Sequence, residues 1–238
     1  MLLPAFNQTA LLLDLDGTLL DMAPTPDQVV VPPMLPGTLA RLRDRLDGAL
    51  AVITGRPVDQ IDTLLPGIVP VVAGEHGGAL RASPGAALTR APVPELPPGL
   101  VDAAKAVAED HPGVVLERKA RGFVLHYRPA PAAGPAVHAA LEALVKPYDA
   151  TLRLIAAHMA WEVRPRGVDK GTAMTEIMAL PPFVGRLPVF IGDDVTDEDG
   201  MVVARAMGGA GLFVPEVFGS AGAVRAWLAR TVDDWGAF

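Results

Sequence analysis

The chain has 238 residues, half of them apolar, no cysteine and a formal net charge of −7. That length accommodates one large domain or two modest ones. The lack of cysteine excludes a disulfide framework, a thiolate zinc site and a cysteine nucleophile, and the acidic balance argues against a general nucleic-acid binder.

The N-terminal residues lack a basic region ahead of an apolar run, so no signal peptide is expected. No stretch reaches the ~18 apolar residues that a membrane span needs. The expectation is a soluble cytoplasmic protein with no membrane or nucleic-acid partner.

A short apolar strand, Leu11-Leu12-Leu13, runs into Asp14-Leu15-Asp16-Gly17-Thr18. Period-two alternation puts Asp14 and Asp16 on the same side if the strand extends that far. Two neighbouring carboxylates repel, so a cation between them is expected. A proline-broken stretch precedes a helix at residues 35–46, with Leu39, Leu42 and Leu46 at helical spacing. A second apolar run, residues 49–53, ends in Thr54-Gly55-Arg56. A short helix at 59–65 and a third strand at 69–73 follow, the latter ending in Gly74-Glu75-His76-Gly77. This β-α-β-α-β order predicts a doubly wound parallel sheet.

Residues 82–99 are rich in Pro, Ala and Gly and read as a linker. Beyond them the pattern is α-β-β-α-β-β. It comprises a helix at 100–109, strands at 114–119 and 123–128 joined through residues 120–122, a helix at 136–145, and strands at 151–155 and 160–164. An antiparallel pattern inside a parallel one reads as an inserted α+β domain. The expected division is a Rossmann-like α/β core at 1–80 and 166–238, and an insert at 81–165. The parallel pattern resumes with a helix at 172–180 and a strand at 187–191 that ends in Gly192-Asp193-Asp194. A strand at 211–214 and a helix at 224–230 close the chain.

Ligands of doubly wound sheets bind outside the carboxyl ends of the strands. Asp14, Asp16, Thr54, Asp193 and Asp194 therefore fall along one edge. An oxygen-rich carboxylate site of this kind suits Mg²⁺ rather than zinc. Lys170, at the start of a helix, opposes the helix dipole and is placed to hold an anion with the backbone N–H groups. In the insert, Glu117 and Lys119 share one strand face. Alternation sends Glu162 and Arg164 to one face and Trp161 and Val163 to the other, making Trp161 a core residue of the insert.

Asp14-Leu15-Asp16-Gly17-Thr18, Thr54-Gly55-Arg56, Lys170 and Gly192-Asp193-Asp194 resemble, in order and spacing, the four motifs of the haloacid dehalogenase superfamily of phosphohydrolases. The insert resembles that superfamily's C2-type cap. Glu117-Arg118-Lys119, His126-Tyr127-Arg128 and Arg164-Pro165-Arg166-Gly167 with Lys170 resemble the trehalose-6-phosphate phosphatase family more narrowly. The resemblance implies a Mg²⁺-dependent sugar phosphatase, functionally paired with a trehalose-6-phosphate synthase. It implies Asp14 as nucleophile, Asp16 as acid and base, and Thr54 and Lys170 as phosphoryl-holding groups. Gly17 would admit the phosphate to the backbone. The implied metal ligands are Asp14, Asp193 and the Asp16 carbonyl, with Asp194 acting through water. Glu117, Lys119, Glu162 and Arg164 would contact the sugar, while Arg56 is read either as a substrate contact or as a salt bridge packing its loop. A phosphatase for sucrose phosphate or a glucosylglycerate-type phosphate, a phosphomutase and a non-catalytic regulatory module are the rival readings.

Overall fold

The computed structural model describes residues 4–23, 28–92, 95–119, 121–157 and 159–233. The chain divides into two compact units. One comprises the described residues up to Ala91 and those from Asp169 onward; the other is Pro92–Val168.

The first unit is built on β1 (Thr9–Leu13), whose five residues are all buried. It pairs in parallel with β2 (Leu50–Ile53) on one side and β10 (Leu187–Gly192) on the other. A parallel strand covered on both faces requires an unbroken apolar run, which Leu11-Leu12-Leu13 supplies. The sheet continues in parallel through β3 (Val71–Gly74) and β11 (Ala210–Phe213). Two short antiparallel strands, β4 (Ala79–Arg81) and β5 (Thr89–Arg90), extend it beyond β3, giving the order β11-β10-β1-β2-β3-β4-β5.

The helices of this unit are α1 (Leu35–Arg45), α2 (Val58–Leu64), α5 (Lys170–Met178), α6 (Glu198–Ala206), the single turn α7 (Val214–Val217) and α8 (Ala221–Thr231). Leu35, Leu39 and Leu42 of α1 join the buried strands in one core. The chain leaves β1 toward β2 and later returns to β1's other edge as β10. The strand order therefore reverses between β1 and β10, which is where α/β sheets open a crevice for ligands.

The second unit has helices α3 (Leu100–Glu109) and α4 (Gly134–Val145). They pack against strands β6 (Val115–Arg118), β7 (Phe123–His126), β8 (Leu152–Ala157) and β9 (Ala160–Pro165), which form an antiparallel sheet in the order β6-β7-β9-β8. Phe123, Leu125, Val137, Leu141 and Val163 form its own core. Trp161 packs there, its Nε1 donating to Gly134 O at 3.0 Å and its ring 4.3 Å from that of His138.

The division differs from the expected one. β4 and β5 carry the first sheet into the stretch read as a linker, so the first unit extends to Ala91 rather than ending at residue 80. Strands of two or three residues have too little alternation to register as a pattern. Residue 120 of the expected β6–β7 turn lies outside the described residues; Lys119 N donates to Gly122 O across that turn at 3.0 Å.

Candidate active site

The site lies in the first unit, at the carboxyl ends of β1, β2 and β10. β1 stops at Leu13, although Asp14 N still donates to Ile191 O of β10 at 2.9 Å and continues the ladder by one bond. Asp14 is thereby held at the crevice. The chain then turns at Gly17, whose φ of 79° suits glycine. A Cβ on Gly17 would lie 2.0 Å from Asp193 Oδ2, so the position is kept open by the carboxylate beside it. That is a different reason for glycine from the expected approach of the backbone to a phosphate. Thr18, next in the turn, donates from Oγ1 to Asp193 Oδ1 at 3.3 Å.

Asp14, Asp193 and Asp197 form one cluster, each offering an oxygen within 4.8 Å of the others. Lys170, 3% exposed, donates to Asp14 Oδ1 at 2.5 Å and to Asp197 Oδ1 at 2.6 Å. Its helix begins with a capping box in which Asp169 accepts from Thr172 N at 2.8 Å. The unfavourable lysine in the first turn is thus offset by a carboxylate cap and by two further carboxylates on its own ammonium.

The charges account for the titration. Burial pushes the Asp14 carboxyl upward, and the neighbouring acids Asp197 and Asp193 add to this; Lys170 opposes the rise without cancelling it. Asp193 is raised to about 6, first by burial and then by Asp197, although a hydrogen bond with Asp14 lowers it. Burial alone would push the Lys170 ammonium down, but attraction to Asp14 and Asp197 outweighs it and its pKa rises. One ammonium faces three carboxylates here, so the cluster retains an excess of negative charge. The donors are hard oxygens. A divalent cation with oxygen preference fits both the charge and the ligand type.

Asp197 was not singled out in the sequence. It is fully buried, and its Oδ2 accepts from both Asp193 N and Asp194 N at 3.0 Å. It therefore fixes the loop that carries Asp193 while also holding Lys170. Its signal was its spacing, three and four residues beyond Asp194 and Asp193, as in a helix cap. Asp194, expected near the metal, lies outside the cluster: it is exposed, and its Oδ1 accepts from Val195 N at 2.7 Å.

The Asp16 carboxylate has a different cationic partner from that of Asp14. Past the end of β1 the two diverge, and Arg56 holds Asp16 with two bonds, Nε to Oδ2 at 2.6 Å and Nη2 to Oδ1 at 2.7 Å. Thr54 is buried at the end of β2, and its Oγ1 accepts from Arg56 N at 3.2 Å.

Residues 12–222 match the trehalose-phosphatase family model. The chain belongs to the trehalose-phosphatase family. It is 35% identical over 227 residues to a trehalose-6-phosphate phosphatase of Escherichia coli, covering 93% of this chain and 82% of that one. It is 38% identical over 203 residues to a probable trehalose-phosphate phosphatase of Sinorhizobium fredii, covering 84% and 75% respectively. The fold resembles that of the Candida albicans trehalose-6-phosphate phosphatase C-terminal domain, with TM-score 0.76, 19% identity and coverage of 95% and 93%. It also resembles a haloacid dehalogenase-like hydrolase of Bacteroides thetaiotaomicron, with TM-score 0.64, 14% identity and coverage of 94% and 98%. Asp14, Thr54, Lys170 and Asp193 all belong to the first unit.

The remaining candidates lie in the second unit. Glu117, Val124, Glu162 and Ile155 are register partners across β6, β7, β9 and β8, so Glu117 and Glu162 share one sheet face. Lys119 Nζ donates to Glu162 Oε1 at 3.3 Å, and Glu162 and Arg164 are each 5% exposed. His126 Nε2 lies 2.7 Å from Glu117 Oε2; this hydrogen bond, with smaller help from Lys119, holds the Glu117 carboxyl below its usual range.

Protonated Asp193 cannot give both oxygens to a cation, so Mg²⁺ binding should release a proton. The apparent Mg²⁺ affinity is expected to weaken as pH falls through about 6, where Asp193 takes up a proton, and the raised Asp14 carboxyl adds to the loss. Isothermal titration in buffers of different ionisation enthalpy would measure both quantities. Affinity that stays constant down to about pH 5, with no proton release, would contradict the crowded-carboxylate description.

Proposed function

We propose that the chain hydrolyses trehalose 6-phosphate to trehalose and phosphate, with Asp14 as nucleophile. The observation that carries this reading is the buried Asp14–Lys170 contact of 2.5 Å at the end of the central strand, in a chain of this family. An Asp14 oxygen attacks phosphorus, and the bond from phosphorus to the sugar oxygen breaks, leaving an aspartyl phosphate. Asp16 gives its proton to the departing sugar oxygen. It then takes a proton from a water molecule whose oxygen attacks the same phosphorus, releasing phosphate and restoring Asp14.

Thr54 accepts from the Arg56 backbone and retains its hydroxyl hydrogen for a phosphoryl oxygen. Lys170 has a third N–H beyond its bonds to Asp14 and Asp197, which we assign to the same group. Gly17 keeps the turn clear beside Asp193. Asp14, Asp193 and the Asp16 carbonyl are the groups we assign to holding Mg²⁺, with Asp194 more remote. Mg²⁺, when bound, supplies positive charge against the phosphoryl oxygens. The supplier of the substrate is a synthase that makes trehalose 6-phosphate, which places the reaction in trehalose biosynthesis.

Purified protein should release phosphate from trehalose 6-phosphate with Mg²⁺ and lose this activity in EDTA. Asp14→Asn should lower kcat by about a thousandfold or more while leaving the circular dichroism unchanged. A substrate panel that favours sucrose 6-phosphate or a glucosylglycerate-type phosphate would refute the sugar assignment. A rate for Asp14→Asn within about tenfold of the wild type would refute the nucleophile.

Discrimination between sugars falls to the second unit, because every sugar phosphate offers the same phosphate to the first. We assign Glu117, Lys119, Glu162 and Arg164 to the sugar hydroxyls. Glu162→Ala and Glu117→Ala should each lower kcat/KM for trehalose 6-phosphate by roughly 10- to 1000-fold, the scale of one or two lost hydrogen bonds to a charged group. Hydrolysis of p-nitrophenyl phosphate has no sugar to lose and should fall far less. An unchanged ratio of the two kcat/KM values would make these acids structural.

A further inference from the structure

Arg56 is a fixed residue rather than a mobile one. Its Nε and Nη2 grip both oxygens of Asp16, and its Nη1 donates to Gln60 Oε1 at 3.2 Å, one helical turn away on α2. At least three of its five N–H donors are therefore committed within the protein. Its backbone is held as well: Arg56 N donates to Thr54 Oγ1 at 3.2 Å, and Arg56 O accepts from Glu75 N at 3.0 Å. The next bond in this lattice runs from His76 N to Thr54 O at 2.9 Å.

These last two bonds require Glu75 and His76 to adopt φ of 55° and 56°, a left-handed conformation unfavourable for non-glycine residues. Such conformations persist where the surroundings enforce them, and they collect at functional sites. The imidazole of His76 lies over Gly55, where an added Cβ would approach Nε2 to 2.7 Å. Two loops are thus locked together around one arginine whose guanidinium faces the acid–base residue.

We propose that Arg56 is a positioning residue for both proton transfers by Asp16, and that its fork, rather than its charge alone, holds the Asp16 carboxylate in place. The proposal rests on the phosphatase reading above. A planar guanidinium with two parallel bonds fixes the plane of a carboxylate, which an ammonium cannot do. With a sugar leaving group, the first step needs a proton from Asp16. With p-nitrophenolate it does not, because that anion leaves unaided. The second step, removal of a proton from water, needs Asp16 whichever group has left.

The test uses Mg²⁺-loaded wild type, Arg56→Ala and Arg56→Lys with trehalose 6-phosphate and with p-nitrophenyl phosphate, followed by rapid acid quench. Both variants should lose roughly 100-fold in kcat/KM for trehalose 6-phosphate, the lower end of what acid–base catalysis contributes. With p-nitrophenyl phosphate the loss in kcat/KM should be much smaller. The phosphoenzyme should decay roughly 100-fold more slowly than in wild type and accumulate as a burst of nitrophenolate.

Arg56→Lys serves as the reading if Arg56→Ala does not fold. An Arg56→Lys with wild-type phosphoenzyme decay would overturn the proposal. So would proportional losses on both substrates with no slowing of that decay, the pattern of a residue that binds substrate. If wild type fails on trehalose 6-phosphate, the sugar assignment fails, while the aryl phosphate decay still reads Arg56.

Discussion

A single ammonium buried among carboxylates is the interaction on which the site depends. Lys170 bonds to Asp14 and Asp197, yet the same ammonium must also offset Asp193, a third acid in the cluster. Such an arrangement is costly for a protein without a further cation, because buried charges are tolerated only when paired and hydrogen-bonded. Burial first, and the neighbouring acids after it, push the Asp14 and Asp193 carboxyls upward. In the proposed reaction the same crowding would favour a divalent cation and, with it, a phosphoryl group. Stability and function draw on one set of charges.

The sheet makes that crowding possible. β1 and β10 run parallel and adjacent, so the residues after their carboxyl ends must meet. Buried strands on either side leave Asp14 and Asp193 little freedom to separate. Asp197 accepts the backbone N–H groups of Asp193 and Asp194, turning a flexible acidic loop into a fixed one. Gly192 is needed here, since a Cβ would lie 2.3 Å from the Asp197 carboxyl carbon. The second unit has a core of its own, so its polar residues can change without disturbing the charge cluster of the first.

Much of this was legible in the sequence because apolar runs ending in acids are strong signals. The three strands that carry Asp14, Thr54 and Asp193 were read from their runs alone, and alternation put Trp161 in the core of the insert and Glu162 on the opposite face. What was missed is three-dimensional. Asp197 matters through Lys170, which is 27 residues away in the chain. Arg56 finds Asp16 across 40 residues, and nothing in Thr54-Gly55-Arg56 states which way the side chain turns. β5 pairs through two residues, too few for periodicity to register. Gly17 has a second reason to be glycine that the sequence does not state, the Asp193 carboxylate that tertiary structure packs beside it.

Lys170 offsets a charge cluster which the fold would otherwise not tolerate. The direct measurement is the urea-unfolding free energy of Lys170→Met, without metal and with saturating Mg²⁺, beside wild type at neutral pH. Removing one partner of a buried pair leaves its carboxylates uncompensated. The metal-free variant should therefore be less stable by about 3–5 kcal/mol, and Mg²⁺ should recover a larger part of that loss than it adds to wild type. A metal-free Lys170→Met as stable as wild type, gaining no more from Mg²⁺ than wild type does, would contradict the account.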